Sequence, residues 1–164
     1  MTYAGFWRRL VAYIIDGIVV SVAIGIVYGI FVATGIINFE PLMDMANDPA
    51  LQSGAEPDLA QGMAAAQGMM QQMSLLYLAM IIIMWLYEAL LTSSASQATL
   101  GKMALGMKVT DANGERVGFG RATGRFFGKL VSGVILYIGF LMVAFTARKQ
   151  GLHDMMASTL VLRR

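Results

Sequence analysis

No cysteine occurs among the 164 residues, which excludes disulfides and thiolate metal sites and leaves the compartment open. Histidine occurs once, at His153, and charged residues make up only 13% of the chain. Catalytic patterns are missing as well. There is no Ser-His-Asp spacing, no zinc ligand set and no glycine-rich phosphate loop, and Gly101-Lys102 lacks the upstream glycine of a P-loop. We therefore expect no enzymatic activity, no cofactor and no nucleic-acid partner. One further absence is local: residues 38–74 contain neither Lys nor Arg, but hold Glu40, Asp44, Asp48, Glu56 and Asp58.

What the chain does have is apolar residues, 57% of the total, with a mean hydropathy of +0.64. They are blocked into runs at residues 10–37, 75–91 and 130–145. A helix needs about 20 apolar residues to cross the hydrocarbon core. The first run passes, the second passes once the neighbouring Met, Ser and Thr are counted, and the third is short. The first run is also too long for a cleaved leader, carries Asp16 and ends without a small-residue cleavage site. The expected fold is an all-α membrane bundle, one domain over residues 1–164, with two transmembrane helices and a third hydrophobic segment in a lipid bilayer.

The twelve Lys and Arg fall before the first run, between the second and third, and after the third. The excess of basic residues in cytoplasmic loops then puts the N-terminus and residues 95–129 in the cytoplasm and the acidic loop outside. Both flanks of the third run are basic, and Gly133 and Gly139 interrupt it. We expect it to be a re-entrant hairpin rather than a third span, which leaves the C-terminus cytoplasmic too. Residues 105–109, the turn Asp111-Ala112-Asn113-Gly114 and residues 116–119 read as a cytoplasmic β-hairpin within 100–120. Residues 158–162 are short and β-branched, and would extend that hairpin to a three-stranded sheet.

In the first helix Gly17, Ser21, Gly25 and Gly29 recur every four residues, a small-residue stripe that lets another helix approach within or between subunits. The external loop closes on Glu56-Pro57-Asp58, a helix start, and the Ala-, Gln- and Met-rich stretch after it extends the second helix out of the membrane by several turns. Met63, Met69, Met70 and Met73 are weak candidates for a soft-metal site; the blander alternative is an amphipathic surface packed on lipid or a partner.

Polar groups inside apolar helices are costly and need an explanation. Asp16 lies about 9 Å along the first helix, with Arg9 on the same face about 10 Å away. Glu88 is expected near the cytoplasmic end of the second helix at a similar depth. Two carboxylates with basic neighbours suit either cation or proton exchange, or an ion-pair network that fixes helix register. The adjacent His153 and Asp154 admit a proton relay or a structural, hydrogen-bonded histidine.

Three stretches together resemble the RDD family of prokaryotic integral membrane proteins. They are GFWRRLVAYIIDGIV at 5–19, QATLGKMALGMKVTDANGERVGF at 97–119 and RKQGLHDMMASTLVLRR at 148–164. The resemblance spans nearly the whole chain except the acidic, Met-rich loop, and implies the prokaryotic cytoplasmic (inner) membrane. It maps the name-giving arginine and two aspartates to Arg9, Asp16 and Asp154, with Arg8 competing for the first place. It also implies a role in transport, with monovalent cation/proton exchange as the proposed activity. Two spans and a hairpin hardly enclose a pathway, so a carrier needs a homo-oligomer. The alternative is a non-catalytic accessory or assembly subunit of a larger membrane complex.

Overall fold

The computed structural model describes residues 2–48, 59–135 and 138–164. The longest helices are α1, Phe6–Ala33, and a second helix at Leu59–Ser93. Both are long and apolar enough to cross a membrane. Only Ala12 and Val20 of α1 are buried, while Trp7, Tyr13, Ile14, Ile18, Val22 and Ile26 are exposed, as expected of a helix solvated by lipid. Gly35, at φ +73°, turns the chain out of α1. Next comes α2, Glu40–Ala46, where Asn38 Oδ1 accepts the Glu40 amide at 2.8 Å. The helix start expected at Glu56-Pro57-Asp58 lies outside the described residues.

The second long helix is α3, Leu59–Ser93. Its 35 residues span about 52 Å, well beyond the roughly 30 Å of hydrocarbon, which fits the expected extension. Beyond it come α4 (Leu100–Ala104), β1 (Met107–Asp111), α5 (Phe119–Val134), α6 (Ile138–Phe145), α7 (Leu152–Met156) and β2 (Thr159–Arg163). The chain forms two compact units, Ala23–Ile82 and the combination of Met1–Val22 with Ile83–Arg164. All of the polar chemistry discussed below belongs to the latter.

The third hydrophobic segment begins earlier than its hydropathy suggests. Helix α5 starts at Phe119, and α5 and α6 are bent by 103° at the break between them. Its amphipathicity is inverted: Arg125 and Ser132 point inward, while Phe127, Leu130, Val131 and Val134 are exposed. Arg125, Lys129 and Ser132 fall at i, i+4 and i+7, one face of the helix. Hydropathy places the cations in a loop, whereas the structure carries them into the helix on its protected face.

The sheet corrects an expectation. Two strands form it, not three, and the pairing is not a local hairpin. Strand β1 runs antiparallel to β2, with Met107 opposite Arg163, Val109 opposite Val161 and Asp111 opposite Thr159. The returning limb at 116–119 contributes a single bridge, Arg116 to Thr110. The reason is local. The Asp111 carboxylate accepts the amides of Asn113 and Glu115 at 2.8 and 2.9 Å and closes the turn on itself, and Gly118 then caps α5. The far edge of β2 is occupied by residues 2–4: the Ala4 amide donates to the Val161 carbonyl and the Arg163 amide to the Thr2 carbonyl, both at 2.9 Å. Val109, Val117 and Val161 join Ala4, Ala12, Ala89, Met107 and Ala122 in the core beneath.

The Arg164 amide bonds the Gly106 carbonyl at 2.8 Å, so three pairs further along Val109 and Val161 are a non-hydrogen-bonded pair, whose Cα atoms stand about 4.5 Å apart. That separation suits a disulfide. In this cysteine-free chain the Val109→Cys/Val161→Cys variant is expected to lose both free thiols on mild oxidation, read by intact mass after alkylation. Two thiols that remain alkylatable in the folded protein would refute the register.

Candidate functional site

Polar residues from distant parts of the chain converge on one region built from the ends of α1 and α3 with α4, α5 and α7. Its centre is Arg125, only 2% exposed. The guanidinium reaches Asp154 Oδ1 through Nε at 2.9 Å and Glu88 Oε1 through Nη1 at 3.4 Å. Lys129, one turn further along α5, puts its ammonium 2.5 Å from the same Glu88 oxygen. Lys102 on α4 approaches that oxygen to 3.6 Å.

Asp154 is fully buried and occupies the first turn of α7, where its Oδ2 accepts the Gly151 amide at 3.2 Å. The same oxygen pairs with Arg9. Arg9 also donates from Nε to the Ala4 carbonyl at 3.0 Å and from Nη2 to the Lys149 carbonyl, tying the chain's beginning to the approach to α7. Burial pushes the Asp154 carboxyl up, but the Arg125 and Arg9 guanidiniums more than reverse this and hold it well below the usual carboxylate range. Arg8, the competing candidate, is exposed.

Asp16 is not bridged to Arg9. Its Oδ1 accepts the Tyr87 hydroxyl and the Gly101 amide, both at 2.7 Å, and its Oδ2 accepts the Thr99 hydroxyl at 2.6 Å. Three neutral donors thus hold one carboxylate. The Tyr87 oxygen in turn accepts the Leu100 amide at 3.2 Å. A Cβ on Gly101 would collide with the Ala12 carbonyl oxygen, so only glycine lets the 99–101 segment lie against α1 closely enough to serve Asp16.

His153 is buried, with Nε2 3.5 Å from Asp154 Oδ1 and its ring 5.0 Å from that of Phe140. Its Nδ1 has no partner among the described residues. Burial brings the imidazole down to about 3 against the pull of Asp154, so it is neutral at physiological pH. Burial, followed by repulsion from Arg125 and Lys129, brings the Lys102 ammonium down to about 7. A cavity of about 350 Å³ opens beside the cluster, lined by Arg9, Asp16, Lys102, Arg125, Lys129 and His153 together with apolar residues of α1, α6 and β2.

Of the residues singled out in the sequence, Arg9, Glu88, His153 and Asp154 thus meet in one ion-paired cluster, while Asp16 sits in a separate cradle at the cavity wall. Among the described residues nothing covers the small-residue stripe: a Cβ at Gly17, Gly25 or Gly29 would meet nothing within 4 Å, and the Ser21 hydroxyl donates to the Ile18 carbonyl. Met63, Met69, Met70 and Met73 are exposed along α3. Sequence reasoning missed Arg125, Lys129, Lys102, Tyr87 and Thr99. Arg125 and Lys129 carried a signal in their four-residue spacing at the entrance to an apolar segment.

These features define a small helical membrane protein whose buried charges are collected largely into one cluster. The sequence model of the RDD family matches residues 3–158, and the chain belongs to that family. It is 40% identical to the uncharacterized protein YxaI of Bacillus subtilis (strain 168), over 97% of this chain and 96% of that protein. It is 29% identical to the uncharacterized membrane protein YteJ of the same strain, over 98% of this chain and 80% of that protein. No solved structure matches.

Truncating one partner of a buried ion pair strands the others. The Asp154→Asn variant leaves Arg9 and Arg125 short of a counter-charge and is expected to cost about 3–5 kcal/mol, seen as a large drop in melting temperature in detergent. Acid should act in two windows. The unfolded chain protonates His153 near 6.5 and the folded one only near 3, so stability falls as pH drops through that range, by at most about 1.4 kcal/mol per unit. Below about pH 4 the depressed Asp154 adds a further loss in the same direction. The His153→Gln variant should flatten the upper window only; an unchanged slope in melting temperature between about pH 6.5 and 4.5 would contradict the assignment.

Proposed function

We propose that the chain is a non-catalytic accessory or assembly subunit of a larger membrane complex, in which the arginine and aspartates lock the helices rather than move an ion. The observation that carries this reading is the saturation of Glu88 and Asp154. Both are buried, and each is held by two or more cations. A carboxylate that exchanges a cation must be able to release its positive partners, and four cationic side chains around the cavity repel a further one. The uncovered Gly17, Gly25 and Gly29 give a partner helix, from a second copy or another protein, a surface for close approach.

The topology that goes with this proposal has both termini in the cytoplasm and the bent α5–α6 segment entering and leaving on one side of the bacterial cytoplasmic membrane. Strands β1 and β2 precede and follow that segment and are hydrogen-bonded neighbours, which supports a returning path. Residues 2–4 pair with the opposite edge of β2, which supports termini on a common side. The exposed Arg116, Arg121, Arg148, Arg163 and Arg164 support the cytoplasmic assignment.

One observation favours a second reading, a cation/proton carrier: Asp16 lines the cavity and is held by neutral donors alone. Purified full-length protein in proteoliposomes distinguishes the two. We expect no sodium- or potassium-coupled proton flux above empty vesicles, and a stoichiometric second membrane protein when the chain is isolated in mild detergent. Flux that is abolished by Asp16→Asn, in a variant that still folds, would instead establish the carrier.

A further inference from the structure

The buried cluster does not balance its own charge. Arg9, Lys102, Arg125 and Lys129 are four cations, set against three carboxylates at Asp16, Glu88 and Asp154, and His153 is neutral. The surplus is best located at Lys102. Its residue is 7% exposed, its nearest carboxylate oxygen is 3.6 Å away, and that oxygen is already taken by Lys129 at 2.5 Å. Among the described residues the Lys102 ammonium makes no hydrogen bond, although it carries three donors. Those donors are thus unused and its Glu88 partner is shared with two closer cations, so an additional acceptor beside Lys102 would be favourable.

The cavity states what kind of group that is. Lys102 and Lys129 line it together with Arg9 and Arg125 and with one carboxylate, Asp16, so its charged lining is net cationic. The rest of the lining is mostly apolar and includes Phe6, Leu10 and Tyr13 of α1 with Phe140 and Leu141 of α6, of which Leu10, Tyr13 and Leu141 are exposed. A free metal ion meets repulsion here, and a free inorganic anion leaves the apolar wall uncovered. We propose that this cavity binds an anionic phospholipid, its phosphate held by Lys102 and Lys129 and its acyl chain laid along Leu10, Tyr13 and Leu141. Phosphate oxygens are strong acceptors for ammonium and guanidinium donors, and in a membrane the apolar wall is continuous with the acyl region. The depressed Lys102 ammonium is the same charge imbalance expressed as a titration, and an arriving phosphate relieves it.

The test uses the full chain in a non-ionic detergent and native mass spectrometry, titrating phosphatidylglycerol and phosphatidylcholine of identical acyl chains. One phosphatidylglycerol per chain is expected, about tenfold tighter than phosphatidylcholine or more. The Lys102→Met variant should lose most of that preference, yet melt no lower than the wild type without lipid, because it removes the surplus charge. Tyr13→Ala, on the apolar wall, should weaken both lipids while keeping the preference between them. Equal binding of the two lipids, or a preference untouched by Lys102→Met, overturns the proposal. So does a Lys102→Met chain that fails to fold, since Lys102 would then be a structural ion-pair partner. Inorganic phosphate that displaces phosphatidylglycerol at equal concentration would show a site for the free anion and overturn the lipid.

Discussion

The arrangement depends on what Arg125 does with two buried carboxylates. Its guanidinium joins Glu88 on α3 to Asp154 on α7, and both acids lie where charge is expensive. A lysine there would supply a point charge; the planar fork of arginine offers separate donors along separate edges, so one side chain serves two partners. Arg9 then completes Asp154 from α1, and Lys129 completes Glu88 from one turn along α5. The position of α7 follows from Asp154, the position of β2 follows from α7, and the sheet closes over both. Polar contacts here carry an architectural role that apolar packing cannot, because in lipid the outer faces of the helices gain little by burying one another.

The same solvent explains why α5 is turned inside out. In water its Phe127, Leu130, Val131 and Val134 face would be the buried one. In a bilayer that face is the solvated one, and Arg125, Lys129 and Ser132 must find partners within the protein. Asp16 obeys the same rule by another route, accepting a hydroxyl from α3, a hydroxyl from Thr99 and an amide from Gly101. The tight Thr-Leu-Gly-Lys segment is thus the receptor for an aspartate one helix away.

Much of the framework was legible from the chain alone. Two candidate spans and the bent third segment follow from hydropathy and helical rise. Arg9 and Asp154 could be singled out, but not paired, because they are 145 positions apart and spacing carries information only within an element. The hairpin failed for a related reason. Asn-Gly between β-branched residues is a sound local signal, but Asp111 closed the turn with its own side chain, and β1 found its partner 50 residues away. Arg125 escaped notice because an arginine beside an apolar run reads as a flank, when the helix had already begun at Phe119.

Strand β2 sits between β1 and residues 2–4, and Arg9 waits on Asp154. Synthesis proceeds from the N-terminus, so α1 is made well before its Arg9 partner. Residues 153–163 supply both that partner and strand β2. Until they emerge, a nascent chain carries stranded charge and an unpaired β1 edge, features that membrane quality control can recognise. Once they are made, Arg9 has its counter-charge and β1 its neighbour from the same short stretch of chain.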